Sequence, residues 1–165
     1  MKEAALVIIK PDGIKRRLIG QILDKFAQTR LDIVAMRAAI ATRALAEEHY
    51  KHIKGQPFFK EVVDYLLGEL HNEKRLLLVI FYGNEAIKKC RKVAGATNPE
   101  EAHPLSIRGA FGRISTKGVF ENVVHVSSAK EESRREIRLW FTPEEVTVNL
   151  YPTKDNKLIK KRAWR

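Results

Sequence analysis

The stretch Leu76-Leu77-Leu78-Val79-Ile80-Phe81-Tyr82 is an unbroken apolar run near the middle of the chain. A run this short, ending in β-branched and aromatic residues, is typical of a strand buried on both faces. A second apolar run, residues 4–9, stops at Lys10-Pro11-Asp12-Gly13, where proline and glycine indicate a change from strand to loop. We therefore predict two interior strands.

The spacing of apolar residues outside these runs predicts the other elements. Helices are expected over residues 18–26, 42–50, 58–67, 84–93 and 128–141, and strands over residues 31–40 and 122–126. Side-chain caps are expected at Thr42, Asn84 and Ser128, the last forming a capping box with Glu131. Residues 95–118, rich in Gly, Pro, Ser and Thr, predict a long irregular segment. The order β-α-β-α-α-β-α-loop-β-α indicates an α+β fold: a ferredoxin-like four-stranded antiparallel sheet with helices packed on it.

Composition narrows the class of protein. The chain has 165 residues and is 44% hydrophobic, enough for one domain with a buried core. Its single cysteine, Cys90, excludes an internal disulfide framework and suits a reducing compartment. No stretch approaches the roughly 18 apolar residues of a membrane span, and the apolar N-terminal run is too short for a signal peptide. We expect a cytoplasmic protein without a membrane partner.

The net charge of +11 favours anionic partners, such as nucleotides or nucleic acid. Residues 148–165 hold six basic residues and one acidic residue, a large share of this excess. We therefore divide the chain into a domain over residues 1–147 and a basic C-terminal tail over residues 148–165. The tail could be solvated and disordered, could pack on a neighbouring subunit, or could bind nucleic acid.

His125 is the most informative residue for function. It interrupts an apolar strand just before a predicted helix N-terminus, where a helix dipole favours phosphate. Such a histidine is either a core residue with a satisfied partner or a nucleophile that attacks a phosphoryl group. Lys10, Arg91 and Arg108 are separately ordinary surface cations, but together they could neutralise a polyphosphate.

An aromatic pair and the absence of two motifs further restrict the kind of ligand and reaction to be expected. Phe58 and Phe59 follow Pro57, and we expect one ring to pack in the core and the other to stack on a planar ligand. The sequence contains neither a Walker-type phosphate loop nor a cluster of Cys and His with metal-ligand spacing. Phosphate chemistry would therefore use another architecture, without a metal held by the protein.

Seven short segments, in the same order, resemble the successive signatures of nucleoside diphosphate kinases. They are Ile9-Lys10-Pro11-Asp12-Gly13, Glu48-His49-Tyr50, Pro57-Phe58-Phe59, Gly95-Ala96-Thr97-Asn98-Pro99, Ile107-Arg108-Gly109, Asn122-Val123-Val124-His125 and Glu136-Ile137-Arg138-Leu139-Trp140-Phe141. The resemblance covers about residues 4–146. Each segment alone is a weak signal, whereas seven in order are a strong one.

The resemblance implies a ping-pong phosphotransferase. His125 would take the γ-phosphoryl group of a nucleoside triphosphate and pass it to a nucleoside diphosphate. Lys10 would bind phosphate and, with Asn122, the sugar hydroxyl, while Arg91, Thr97 and Arg108 would bind the phosphates. Phe58 and Val62 would contact the two faces of the base. Tyr50 would lie near the histidine, and Glu136 would accept a hydrogen bond from its second imidazole nitrogen. Mg²⁺ would arrive with the nucleotide, and the protein would be a homo-oligomer, at least a dimer.

The chain also departs from the family pattern. The family usually follows its histidine with Gly-Ser-Asp-Ser, whereas this chain has Val126-Ser127-Ser128-Ala129. Val126 could narrow the pocket, and Ser128 removes a carboxylate, so activity could be reduced. Residues 68–75 and 112–121 are longer than usual, the second by about four residues.

Three functions remain open at this point. An active kinase is supported by the full set of signature residues. A non-catalytic module that binds nucleic acid is supported by the basic tail, and its binding would depend steeply on salt. A nucleotide sensor or assembly protein would change its oligomer size with nucleotide.

Overall fold

A computed structural model describes residues 2–115 and 118–154. The strands are β1 (Lys2–Ile9), β2 (Asp32–Ile40), β3 (Arg75–Asn84), β4 (Arg113–Ile114), β5 (Phe120–Glu121) and β6 (Val124–Val126). The helices are α1 (Pro11–Lys15), α2 (Ile19–Ala27), α3 (Arg43–His49), α4 (Phe59–Leu66), α5 (Ala86–Ala94), α6 (Ile107–Phe111) and α7 (Lys130–Trp140), with 3-10 turns at Lys51–Ile53 and Pro143–Glu145.

The central sheet has the strand order β2-β3-β1-β6, and every neighbouring pair is antiparallel. The two apolar runs predicted as interior strands lie in β3 and β1, which pair with each other. Successive side chains of these strands point to opposite faces. Leu6 and Leu78 join one buried cluster, whereas Val7 and Val79 join the other. The predicted ferredoxin-like α+β fold is confirmed.

Helices cover both faces of this sheet. Ala46 of α3, Leu66 of α4 and Trp140 of α7 lie in the first cluster. Phe26 of α2 and Cys90 of α5 lie in the second. Because both faces are buried, the continuous apolar composition of β1 and β3 is what the packing requires.

A tight connection precedes the short strand β6. Val123 has a φ of +54°, a conformation in which a β-branched side chain is strained. The buried residue Asp12 accepts a hydrogen bond from the Val123 amide at 3.2 Å, and the Lys10 amide donates to the Val123 carbonyl at 2.8 Å. These contacts fix the backbone between Asn122 and His125, the two predicted site residues that flank it.

One of the three predicted caps is confirmed. The Thr42 hydroxyl accepts a hydrogen bond from the Leu45 amide at 3.2 Å. The cap at Asn84 is wrong, because pairing with Lys2 extends β3 through Asn84 and the helix begins after Glu85.

The capping box at Ser128 is also wrong. The chain stays extended through Ala129, which is the N-cap residue, and α7 begins at Lys130 without a side-chain cap. The serine that ties this segment to the helix is Ser127, whose hydroxyl donates to Glu136 at 2.6 Å.

The segment predicted as irregular contains regular structure. It holds α6, which Ser106 caps by accepting from the Gly109 amide, and β4, which pairs with β5. Helix α1 was not predicted, because the Pro-Asp-Gly sequence was interpreted as a loop, although proline is favoured in the first helical turn.

The first part of the predicted tail packs on the domain. Val148, Leu150 and Tyr151 are partly buried against the cluster that contains Trp140. Residues 155–165, with most of the predicted basic tail, lie outside the described residues. Within residues 2–115 and 118–154, no helix is long and apolar enough to cross a membrane.

Replacing Thr42 by alanine is expected to lower the free energy of unfolding by about 1 kcal/mol, because the first turn of α3 loses its cap. Ser128→Ala is the matched control, and we expect a change within about 0.5 kcal/mol since this hydroxyl caps no helix. Urea denaturation of both variants provides the measurement. An equal loss in both variants would contradict the assignment of the caps.

Candidate active site

A cleft of about 490 Å³ lies between helices α3 to α5 and the chain that runs from β5 to α7. All ten site residues predicted from the sequence line it: Lys10, Tyr50, Phe58, Val62, Arg91, Thr97, Arg108, Asn122, His125 and Glu136. Its volume is in the range of small-molecule sites. Segments that are far apart in the sequence therefore meet in one place, although the role of each residue stays a prediction.

His125 lies on β6 with one imidazole nitrogen already engaged. Its Nε2 atom is 2.9 Å from Oε1 of Glu136 on α7. Burial alone would raise the pKa of Glu136, but the charge and hydrogen bond of His125 and the Ser127 hydroxyl together hold this pKa below its usual value. An ionised carboxylate accepts the Nε2 proton, so the tautomer is fixed and the lone pair lies on Nδ1.

His49 packs behind His125 and was not singled out from the sequence. Its side chain is completely buried, and its ring meets that of His125 edge to face at 4.4 Å. Nδ1 of His49 accepts a hydrogen bond from the Trp140 indole at 3.2 Å. Burial, followed by the charge of His125, holds the pKa of His49 well below its usual value. A neutral residue therefore supports the ring of His125.

Tyr50 closes the same side of the cleft. It is 6% exposed, and its ring lies edge-on to that of His125 with 6.2 Å between centroids. Burial and the nearby carboxylate of Glu136 raise the pKa of Tyr50, so its hydroxyl remains a hydrogen-bond donor at neutral pH.

The side chain of Lys10 is buried, and its amine contacts an amide oxygen and an aromatic ring in place of water. Its Nζ atom donates to Oδ1 of Asn122 at 2.8 Å and lies 4.5 Å from the centre of the Tyr65 ring. Burial and the charge of Arg108, partly opposed by Asp12, together lower the pKa of Lys10 to about 7. Removing a charged amine from water is costly, so an anion in the cleft would be a strong partner for it.

Hydrogen bonds to two backbone carbonyls fix the guanidinium of Arg108. Its guanidinium donates to the carbonyls of Gly95 at 2.9 Å and Val124 at 3.0 Å, and the side chain is buried. Burial and the charge of Arg91 lower the pKa of Arg108 to about 10, so the group stays charged at neutral pH. Arg91 and Thr97 are exposed, and the Thr97 carbonyl accepts a hydrogen bond from Nδ2 of the Asn122 side chain at 3.0 Å.

Part of the cleft lining is apolar. It includes Phe58, the N-cap residue of α4, and Val62 one turn later, together with Val119 and Phe120 from the β4–β5 hairpin. Val119 and Phe120 were not predicted as site residues, since the segment that contains them was assigned only as a lengthened loop. The cleft lining thus combines basic side chains with apolar and aromatic ones.

The described side chains do not form an oxygen cage for Mg²⁺. The group of metal-ligating types found within residues 2–115 and 118–154 is His49, His125 and Glu136, with two nitrogen donors and one carboxylate. Mg²⁺ prefers oxygen ligands and keeps several waters, commonly shared with substrate phosphates. Two nitrogen donors and one carboxylate are therefore not the ligand set that Mg²⁺ prefers.

Binding of a polyphosphate beside Lys10 is expected to make the protein take up protons above pH 7. With a pKa of about 7 in the free protein, Lys10 is mostly neutral at pH 8.5, and a nearby anion would favour its charged form. We expect uptake approaching one proton per ADP at pH 8.5 and little from Lys10 at pH 6. Calorimetric titrations in buffers of different ionisation enthalpy measure this quantity.

The control is Lys10→Arg, which stays protonated at either pH and should show no such uptake. Proton uptake at pH 8.5 that is equal in both proteins would contradict the assignment to Lys10. The lowered pKa of Lys10 also decides how the free energy of unfolding depends on pH. Between pH 7 and 10.5 the unfolded chain binds more protons at this position, so the contribution of Lys10 to the free energy of unfolding rises with pH.

The family described as nucleoside diphosphate kinase has a model that matches residues 3–146 of this chain. Nucleoside diphosphate kinase of Pyrococcus furiosus is 42% identical over 144 residues, covering 87% of this chain and 86% of that protein. The enzyme of Methanocaldococcus jannaschii is 36% identical over 146 residues, covering 88% and 98%.

Solved structures agree with these relatives. Nucleoside diphosphate kinase of Aquifex aeolicus superposes with a TM-score of 0.79 at 33% identity, covering 88% of this chain and 99% of that one. A transition-state mimic of the Borrelia burgdorferi enzyme, with bound vanadate and ADP, gives a TM-score of 0.79 at 30% identity, covering 93% and 94%. On the family match, the relatives and the shared fold together, this chain belongs to the nucleoside diphosphate kinase family.

Proposed function

We propose that this protein is a nucleoside diphosphate kinase that transfers the γ-phosphoryl group of a nucleoside triphosphate to a nucleoside diphosphate through a phosphohistidine at His125. The observation that carries the proposal is the pair His125 and Glu136. The carboxylate occupies Nε2, so Nδ1 keeps a free lone pair in a cleft that also contains Lys10 and Arg108. A nucleophilic nitrogen in the same cleft as two buried basic side chains suits attack on a phosphoryl group.

In the first half-reaction, Nδ1 of His125 forms a bond to the γ-phosphorus. The bond between that phosphorus and the bridging β–γ oxygen breaks, and the nucleoside diphosphate leaves with the electron pair. The Nε2 proton stays between the imidazole and Glu136, whose negative charge stabilises the positive charge that develops on the ring. The second half-reaction is the reverse, with a different nucleoside diphosphate as acceptor.

Charge neutralisation is the main task of the remaining residues, because phosphoryl transfer needs little covalent help from the protein. Lys10, Arg91, Thr97 and Arg108 bind the phosphates in this proposal, and Asn122 with Lys10 binds the sugar hydroxyl. Arg108 is suited to this task because its backbone contacts hold the guanidinium in place before substrate binds. Tyr50 donates a hydrogen bond near the histidine.

In this proposal the base lies against the apolar side chains of Phe58 and Val62. Stacking uses the face of the base and few of its edge atoms, so we expect broad tolerance of bases. Mg²⁺ enters as part of the nucleotide substrate, bound by its phosphates.

The departures after His125 leave a usable cleft. Val126 and Ser128 both line it, and Val126 is only 4% exposed because its side chain packs in the second buried cluster. With Ser127 and Glu136 in contact with each other, the support of the histidine does not depend on a carboxylate at position 128. A catalytically inactive module that binds nucleic acid is not favoured, since the complete set of signature residues surrounds the cleft.

We further propose a cytoplasmic homo-oligomer, at least a dimer. Ile33, Met36 and Ile40 are exposed on β2, an edge strand of the sheet, and an exposed apolar edge is a common site of association. Binding of nucleic acid through the basic tail stays a separate prediction on residues beyond those described.

The test is a two-step phosphotransfer assay. The protein is incubated with Mg²⁺ and ATP labelled in the γ-phosphate, freed of nucleotide, and then mixed with dTDP. We expect one acid-labile, base-stable phosphoryl group per chain after the first step and labelled dTTP after the second. A folded protein that binds ATP but forms neither product would contradict the proposed function.

A further inference from the structure

His49 is a buried titratable residue to which the proposed mechanism gives no task. It ends α3, its side chain is completely buried, and it does not line the cleft. His71 is also buried, but a carboxylate oxygen of Glu121 in the β4–β5 hairpin lies 3.1 Å from its Nε2 atom. Nε2 of His49 has no hydrogen-bond partner within residues 2–115 and 118–154. A buried polar atom without a partner is costly, so its presence needs an explanation.

Trp140 decides which nitrogen of His49 carries the proton. The indole Nε1 atom can only donate, and it donates to Nδ1 of His49 at 3.2 Å. Burial, followed by the charge of His125, holds the pKa of His49 well below its usual value, so the ring is neutral. A neutral imidazole that accepts a hydrogen bond at Nδ1 carries its proton on Nε2. Trp140 is itself buried, so water does not easily replace this contact.

The ring of His49 lies directly against the reacting histidine. The rings of His49 and His125 meet edge to face, with 4.4 Å between their centroids and 75° between their planes. One ring nitrogen of His49 lies within 4.8 Å of a ring nitrogen of His125 and of a carboxylate oxygen of Glu136. Loss of the His49 ring would therefore free the imidazole that carries the nucleophile, and a displacement of about 1 Å can cost about a hundredfold in rate.

Helix α7 holds both imidazoles. Glu136 of this helix contacts Nε2 of His125, and Trp140 contacts Nδ1 of His49. The guanidinium of Arg135 on the same helix donates to the backbone carbonyl of His49 at 2.9 Å. One rigid element thus orients His125 through a carboxylate acceptor and His49 through an indole donor.

Protonation of His49 would disturb this arrangement. The added proton would go to Nδ1 and would face the indole N–H of Trp140, so two donors would meet. The new positive charge would also compete with His125 for the carboxylate of Glu136. The charged and titratable groups around His49 are His125, Arg135, Lys10, His52, Glu136 and Tyr50.

We propose that His49 is a positioning residue for phosphoryl transfer: Trp140 holds it in the neutral form protonated on Nε2, and its ring fixes the orientation of the His125 imidazole. The inference rests on the proposed function, because it assigns His49 a role in a reaction at His125. Since His49 does not line the cleft, its loss should change the rate of the chemical step and not the binding of nucleotide.

The first experiment compares His49→Gln with His49→Phe. Glutamine can accept a hydrogen bond from Trp140 and keeps an N–H donor, whereas phenylalanine keeps only an aromatic ring. We expect the single-turnover rate of phosphoenzyme formation to fall about tenfold to a hundredfold in His49→Phe and to stay within about fivefold of the parent rate in His49→Gln, with the Kd for ADP changed less than about threefold in both. Phe26→Leu, a substitution in the second buried cluster, controls for lost packing and should leave the rate unchanged.

The second experiment follows the protonation of the ring. Trp140→Phe removes the indole donor, so His49 is protonated more easily and the acidic limb of the pH profile of kcat should move to higher pH. The double variant Trp140→Phe/His49→Gln has no titrating group at position 49 and should lose this shift. Heteronuclear NMR of the parent protein with labelled histidine should show the His49 proton on Nε2 at neutral pH.

Four results would overturn the proposal: a folded His49→Phe whose rate is within twofold of the parent, equal losses in His49→Gln and His49→Phe, an acidic limb that stays in place in Trp140→Phe, or an NMR spectrum with the His49 proton on Nδ1. Thermal unfolding checks that the variants are folded. A parent protein that forms no phosphoenzyme contradicts the proposed function instead. The NMR spectrum needs no turnover, so the two failures are distinguishable.

Discussion

Replacement of His125 by alanine is expected to lower kcat for phosphotransfer at least about ten-thousand-fold, because the covalent route through the phosphoenzyme disappears. The remaining cations could still bind nucleotide, so the Kd for ADP should change much less than kcat. Nδ1 of His125 is the atom with a free lone pair in our geometry. His52 also lines the cleft, but its Nδ1 lies 3.9 Å from Oε2 of Glu132, too far for a hydrogen bond. Transfer from ATP to dTDP and the labelled phosphoenzyme are the measurements.

Two further variants serve as controls for this test. His125→Ala leaves the buried carboxylate of Glu136 without its imidazole partner, so the variant could lose stability as well as activity. His125→Gln keeps an N–H donor near Glu136 and still lacks the nucleophile, and it should be equally inactive. His103→Ala removes an exposed histidine outside the cleft and should retain activity. Substantial turnover by folded His125→Gln would rule out the phosphohistidine.

Replacement of Glu136 by glutamine is expected to lower kcat by about a hundredfold to ten-thousandfold with a much smaller change in KM. The amide has nearly the same shape, but it no longer carries the charge that stabilises the developing imidazolium, and it can donate a hydrogen bond that favours the wrong tautomer of His125. Steady-state kinetics and the rate of phosphoenzyme formation in a single turnover measure the effect. The loss should appear in the single-turnover rate, because Glu136 acts on the reacting ring.

Ser127→Ala is the matched comparison for this prediction. It removes the hydrogen bond to Oε2 of Glu136 but leaves the carboxylate charged and in contact with His125. We expect a loss in kcat of about tenfold, well below that of Glu136→Gln. If Glu136→Gln changed KM and left kcat intact, its proposed role in orienting the histidine would be wrong.

The sequence predicted the sheet and the family because both depend on short-range patterns. The apolar runs of β1 and β3 are long enough to identify buried strands, and the match in fold and the membership of the nucleoside diphosphate kinase family are confirmed. His125, the three cations and the phenylalanine pair were singled out from the residues themselves, whereas the other site residues came only from the family resemblance: Tyr50, Val62, Thr97, Asn122 and Glu136. Spacing alone does not bring Lys10, Arg91 and His125 together, since their contacts depend on the folded chain.

Tertiary contacts explain what the sequence missed. His49 looked like part of a helix end, and only the packing of α3 against α7 brings it to Trp140 and His125. Phe120 looked like a loop residue, because a two-residue strand leaves no periodic pattern to detect. The cap at Ser128 was misplaced by one residue: Ala129 is the N-cap residue, and the serine that binds the helix is Ser127, through Glu136.

The contact between His71 and Glu121 joins residues 68–75 and residues 112–121, the two segments that the sequence predicts to be longer than the family pattern. Both side chains are buried, at 7% and 9% exposure, so neither can easily exchange its partner for water. Shortening one segment alone would leave a polar group of the other without this partner. The two lengthenings should therefore be inherited as a unit: among relatives that have one of them, positions 71 and 121 should change together, and chimaeras that exchange only one segment should fold less stably than those that exchange both.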